Sequence, residues 1–84
     1  MRTLKPLDHI LEDALTALEA DEYEKALRLF KSLAEQGNEW GLLYLGWMYE
    51  LGKGVPQDDA KADYWYWKAE KQRRAKVVVP FQKN

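Results

Sequence analysis

The chain has no cysteine and a single histidine, His9, among its 84 residues. Without thiols there is no disulfide framework and no thiolate nucleophile, and one imidazole excludes any site built on paired histidines. An excess of one charge is missing too. Thirteen Lys and Arg face fourteen Asp and Glu, for a net charge of −1, so no overall field draws the protein to DNA, RNA or an anionic membrane. No stretch approaches the roughly 20 apolar residues that cross a bilayer, and the opening "MRTLKPLDHI" lacks the run of about 7–15 apolar residues that forms a signal core. The expectation is a soluble, cytoplasmic protein with neither a nucleic-acid nor a membrane partner. At 84 residues the chain makes one domain that buries roughly 60–65% of its unfolded surface, leaving no room for catalytic machinery beside the core. No enzyme activity, cofactor or metal is expected.

What is present is helical periodicity. Leu7, Ile10, Leu11, Ala14, Leu15 and Leu18 follow helical spacing, with a start between Pro6 and Asp8 and an end near Ala20. Asp21 and Glu24 stand three apart, the spacing of a capping box for a second helix that runs to about Gln36. Its apolar stripe is Tyr23, Ala26, Leu27, Phe30, Leu33 and Ala34, and Gly37 closes it. Asn38 caps a third helix, Glu39 to Leu51, which ends at Gly52. The interior Gly41 and Gly46 each cost roughly 1 kcal/mol relative to alanine, so close packing against neighbouring helices is expected there. "GKGVPQD" reads as a loop, Asp58 as the cap of a fourth helix to roughly Arg74, and "KVVVPFQKN" as an extended strap. The organisation predicted is all-α: a first hairpin over 1–37, a second over 38–74, and a tail over 75–84.

An internal repeat supports this plan. "KALRLFKSLAEQ", Lys25 to Gln36, aligns with "KADYWYWKAEKQ", Lys61 to Gln72, so that small, large and aromatic positions recur in one order. Helix pairs that cannot bury a face alone stack on copies of themselves, which is the physics of a solenoid.

The stretch "LGWMYELGKGVPQDDAKADYWYWKAEKQ", Leu45 to Gln72, resembles the Sel-one-like repeat (SLR), a relative of the tetratricopeptide repeat (TPR). Leu45, Gly46, Met48, Tyr49, Gly52, Gly54, Val55, Asp58, Lys61, Ala62, Trp65, Tyr66, Lys68 and Ala69 fall on that pattern. "EYEKALRLFKSLAEQGN", Glu22 to Asn38, resembles the second helix of a preceding repeat. "EADEY" replaces the family's glycine-valine loop in the first pair, Leu42 stands at a small-residue position, and Arg73 stands where the pattern has glycine. The resemblance implies two helix hairpins stacked in a right-handed array that serves as a protein-binding scaffold, often in bacterial signalling and assembly, without catalysis or cofactor. It does not imply which protein is bound.

Other constellations carry less. "GKG" at Gly52 to Gly54 follows a helix and lacks the serine or threonine of a phosphate loop, and Asp58, Asp59 and Asp63 lack the ligand alternation of a calcium loop. The fourteen acids offer no enclosed pair for acid/base work. "KQRRAK", Lys71 to Lys76, puts cations at a helix C-terminus, where the dipole favours them. The aromatics exceed the needs of the repeat. Tyr49, Trp65 and Tyr66 read as core, whereas Trp40, Tyr44 and Trp47 make a second stripe on the third helix and Tyr64 and Trp67 one on the fourth. Three readings stay open for these stripes: a groove for a partner protein, a homodimer face, or a surface covered by the "VVVPF" strap. The expected function is a non-catalytic protein-protein interaction module, a small bacterial-type adaptor or an inhibitor or immunity-like protein, with Trp40, Tyr44, Trp47, Tyr64 and Trp67 as partner-binding residues. The alternative is a self-assembling structural homodimer.

Overall fold

A computed structural model describes residues 6–76 of the chain. These form four α-helices, α1 (Pro6–Glu19), α2 (Tyr23–Glu35), α3 (Glu39–Leu51) and α4 (Asp59–Lys76). Each packs on its neighbour in sequence, α1 on α2, α2 on α3 and α3 on α4, giving two antiparallel hairpins stacked through α2 and α3. The fourth helix continues two residues beyond the predicted Arg74, and Ala75 and Lys76, assigned to the strap, complete it. The rest of the predicted strap lies outside the described residues.

The core has two centres that share α3. Ala14 and Ala17 of α1, Ala26, Phe30 and Leu33 of α2 and Met48 of α3 form one. Ala34, Leu42, Leu45 and Ala69, with Trp65 and Tyr49 packed against them, form the other. Phe30, Leu33, Leu42, Leu45 and Met48 are the largest fully buried side chains, each worth roughly 1.5–3 kcal/mol of transfer free energy. Both helical glycines sit where α3 is approached closely, on opposite sides. A Cβ at Gly41 would stand 2.5 Å from Leu33 Cβ and 2.8 Å from the Ala34 backbone nitrogen of α2. A Cβ at Gly46 would stand 2.7 Å from the Tyr66 ring of α4. The two glycines thus set the two spacings on which the stack depends.

Two caps form as the sequence predicts. Gly41 N–H donates to Asn38 Oδ1 (3.0 Å) and Lys61 N–H to Asp58 Oδ1 (3.1 Å), satisfying otherwise free amides. The predicted capping box at Asp21 does not form. Asp21 adopts a left-handed backbone (φ 61°), its N–H donates to the Leu18 carbonyl and the next N–H, of Glu22, to that of Ala17 (3.1 and 2.8 Å). That arrangement terminates α1. Because only residues 20–22 separate the helices, Asp21 is consumed in ending the first, its carboxylate accepts from the Tyr23 hydroxyl (2.9 Å), and Glu22, at the N-cap of α2, makes no side-chain cap bond.

Candidate functional site

The same terminal geometry recurs at the ends of α2 and α3, and superposing it for α1 and α3, the first helices of the two hairpins, sets their register. Lys53 N–H donates to the Met48 carbonyl as Glu22 N–H does to that of Ala17, and Gly52 (φ 71°) takes the left-handed place of Asp21. Ala17 therefore falls on Met48, a shift of 31 residues. With that register the buried Ala14 and Ala17 match the buried Leu45 and Met48, and the half-buried Leu11 and Leu18 face the same way as Leu42 and Tyr49.

The outer faces do not match. On α1 the solvent side is His9, Glu12, Asp13 and Thr16, all exposed. The equivalent positions on α3 are Trp40, Leu43, Tyr44 and Trp47, followed by Leu51. Trp40, Trp47 and Leu51 are 55%, 36% and 49% exposed. The α1 face shows that this backbone needs no aromatic there; Leu43 and Tyr44, half-buried, pack against the two core clusters, which leaves Trp40 and Trp47 without an explanation in the packing of the helices.

The row is also concave. Trp40, Leu43, Tyr44 and Trp47, joined by Tyr66 from α4, line a groove of about 250 Å³, below the roughly 300–1,000 Å³ of small-molecule sites and of a size to hold one or two large side chains. Tyr44 forms its floor: the ring stacks on buried Phe30 at 4.8 Å and 15°, which fixes its orientation. Tyr66 forms the wall. Its ring lies over Gly46, and its hydroxyl donates to Glu50 Oε1 at 2.6 Å. Burial, then the hydrogen bond to Glu50 and that residue's charge, with a further contribution from Asp63, push the phenol pKa up to about 12.

The structure thus brings together three of the five residues expected to bind a partner and sets the other two apart. Tyr64 and Trp67, 49% and 55% exposed, lie on α4 with ring centroids 6.4 Å apart and do not line the groove. Tyr66, read from the sequence as core, belongs to the groove. The signal for it was weak, since Tyr66 follows Trp65 and precedes Trp67 and only the α3 contact separates the three. The α4 rings are also covered by the chain's own cations: Lys68 Nζ stands 5.6 Å from the Tyr64 centroid and Lys71 Nζ 4.9 Å from that of Trp67.

The remaining candidates have structural partners. Lys53, in the glycine loop, sits 5.2 Å over the Tyr23 ring, tying that loop to the start of α2. In the basic run, Arg73 reaches Glu70 (2.6 Å) and Glu39 (3.7 Å) and Arg74 reaches Glu70 (3.3 Å); the Arg73 hydrogen bond holds the Glu70 carboxyl below its usual range. His9 is exposed. Among the described residues no helix is long and apolar enough to cross a membrane and no group of three or more His, Cys, Asp or Glu could hold a metal ion. Comparison of the chain with protein-family models, with curated proteins and with solved structures finds no match.

Proposed function

We propose that the protein is a non-catalytic docking module that holds another protein in the α3 groove, on a framework of the Sel-one-like and tetratricopeptide type. One observation carries the reading: at equivalent positions of the same backbone plan, α1 shows water His9, Glu12, Asp13 and Thr16, whereas α3 shows it Trp40 and Trp47 with the half-buried Leu43 and Tyr44 between them. Aromatic side chains exposed in a preformed concavity are the usual anchors of protein interfaces, because they bury large area at little entropic cost. The groove's chemistry fits binding better than catalysis, for the Tyr66 phenol with a pKa of about 12 is a poor proton donor or acceptor near neutrality. Occlusion or tethering of the partner is then the mode of action, as in a small cytoplasmic adaptor, inhibitor or immunity-like protein.

The test compares wild type with Trp40→Ala and Trp47→Ala. Each variant is expected to keep the helical circular-dichroism spectrum and to lose at least one protein that wild type captures from lysate of the source organism. Retention of every captured protein by both variants overturns the reading. The exposed Tyr64 and Trp67 on α4 favour a second reading, self-association through that helix. It predicts a concentration-dependent dimer in sedimentation that Trp67→Ala abolishes.

A further inference from the structure

The occupant of the groove is constrained by how charge is distributed among the helices. Asp8, Glu12, Asp13 and Glu19 on α1 and Glu39 and Glu50 on α3 are the charged residues of those two helices, which contain no lysine or arginine. The cations gather on α2 and α4 instead: Lys25, Arg28 and Lys31 outnumber two acids on the former, and four lysines with Arg73 and Arg74 outnumber three acids on the latter. A chain that is nearly neutral overall is therefore polarised by helix. Met48 of α3 lies in one core cluster with Ala14 and Ala17 of α1, so the two acidic helices border a common core, with α2 packed against both.

Cation–π contacts divide along the same line. Lys68 and Lys71 cover Tyr64 and Trp67 on α4. Among the described residues, no lysine or arginine lies over Trp40, Tyr44 or Trp47. The indole faces of the groove thus carry no cation of the chain's own among the described residues. The charges shown to act on the groove wall at Tyr66 are the carboxylates Glu50 and Asp63, while Glu39, beside Trp40, is met by Arg73. Trp rings are the strongest side-chain acceptors for such contacts.

We infer that the groove receives a lysine- or arginine-bearing amphipathic segment of a partner protein. A bulky apolar residue seats between Trp40, Tyr44 and Trp47, and flanking cations meet the indole faces and the carboxylates of α1 and α3. The inference rests on the docking reading and narrows it to one partner chemistry. From Trp40 to Leu51 the apolar row rises about 16 Å along α3, so the contacting segment is about three helical turns if helical. Acidic or neutral segments pair less well, because they set like charge or no charge against Glu12, Asp13 and Glu50.

The probe is a displayed library of random peptides about three helical turns long, selected on the full chain alone, with the enriched peptides then measured on Trp40→Ala/Trp47→Ala. Enriched peptides are expected to combine net positive charge with Leu, Phe or Trp. They are expected to bind wild type at least tenfold tighter than the double variant, to lose at least threefold with Glu12→Gln/Asp13→Asn, and to weaken at least tenfold between about 0.1 M and 1 M salt. Enriched peptides that are neutral or acidic overturn the charge inference and leave the docking reading standing. Equal binding to wild type and the tryptophan double variant overturns both. Sedimentation of the chain alone supplies the control for a second copy in the groove: a dimer broken by Trp47→Glu, with Trp67→Glu unaffected, overturns the inference in favour of self-association, and a monomer supports it.

Discussion

Where α1 turns His9, Glu12, Asp13 and Thr16 to solvent, α3 has the exposed Trp40 and Trp47 and the half-buried Leu43 and Tyr44, although both helices end in the same hydrogen-bonded turn and bury Ala14 and Ala17, Leu45 and Met48 at matching positions. The pair is an internal control. Whatever the repeat needs for folding must be present in both hairpins, and whatever appears in one alone is available for something else. By that measure the buried row Ala14, Ala17, Leu45 and Met48 belongs to folding. The aromatic row belongs to the surface, with one qualification from geometry: Tyr44 stacks on Phe30 and so serves both. Glycine sharpens the contrast. Ile10 of α1 falls on Gly41 of α3, and only the second is pressed against a preceding helix.

The largest effect should come from that last difference. Gly41→Ala places a methyl against the backbone of α2 and is expected to destabilise by about 3 kcal/mol despite the better helix propensity of alanine. In the register-equivalent position, Ile10→Val should cost less, about 1 kcal/mol, and the two are compared by urea denaturation. Should the order reverse, the spacing between α2 and α3 is not set by Gly41.

Grafting the α1 face onto α3 tests the surface assignment. Trp40→His with Trp47→Thr should change stability by under about 1 kcal/mol, since both side chains are substantially exposed. Tyr44→Asp should cost about 2 kcal/mol, because it removes the stack on Phe30 and sets a carboxylate against the core. Thermal melts of the double and the single variant read the split. Equal losses would mean that the tryptophans are structural.

The caps differ between hairpins by about 1 kcal/mol. Asn38→Ala and Asp58→Ala each remove a side-chain acceptor from a helix start and should cost roughly that much. Glu22→Ala, at a helix start with no side-chain cap bond, should be near neutral in the same denaturation assay. A substantial loss there would show that α2 is capped in another way in solution.

The smallest effect is one of pH. The Tyr66 phenol, with its pKa raised from 10.0 to about 12, contributes stability that is fully present below pH 10 and is lost as pH rises through 12. Ultraviolet titration should show one tyrosine ionising about two units late, and Tyr66→Phe should remove it and flatten stability over that window. The magnitude is reduced by solvent screening at a half-buried site. A normal titration would mean that the Glu50 bond is not kept in solution and that the groove wall is movable.

Much of the architecture was legible because its causes are local. Helical spacing, Asn38 and Asp58 ahead of apolar runs, and glycines after them specify four helices and their ends through backbone hydrogen bonding within a few residues. The capping box misled for a tertiary reason, since the three-residue connection makes Asp21 end one helix instead of starting the next. The candidate site was half legible. A stripe on α3 follows from periodicity, but α3 is apolar nearly all round and α4 runs Tyr64, Trp65, Tyr66, Trp67 in succession, so spacing alone assigns no ring to a face.

By itself, then, the sequence determined that there are four helices and, to within a few residues, where they lie, which small residues let helices approach, and that the two hairpins repeat one pattern; these depend on interactions a few residues apart. Only the tertiary structure decided that Trp40, Tyr44 and Trp47 join Tyr66 in one groove while Tyr64 and Trp67 stand apart under their own lysines. The physical reason is that the direction of a side chain around a helix axis is periodic and local, whereas the side from which the next helix approaches is settled by the packing of all four.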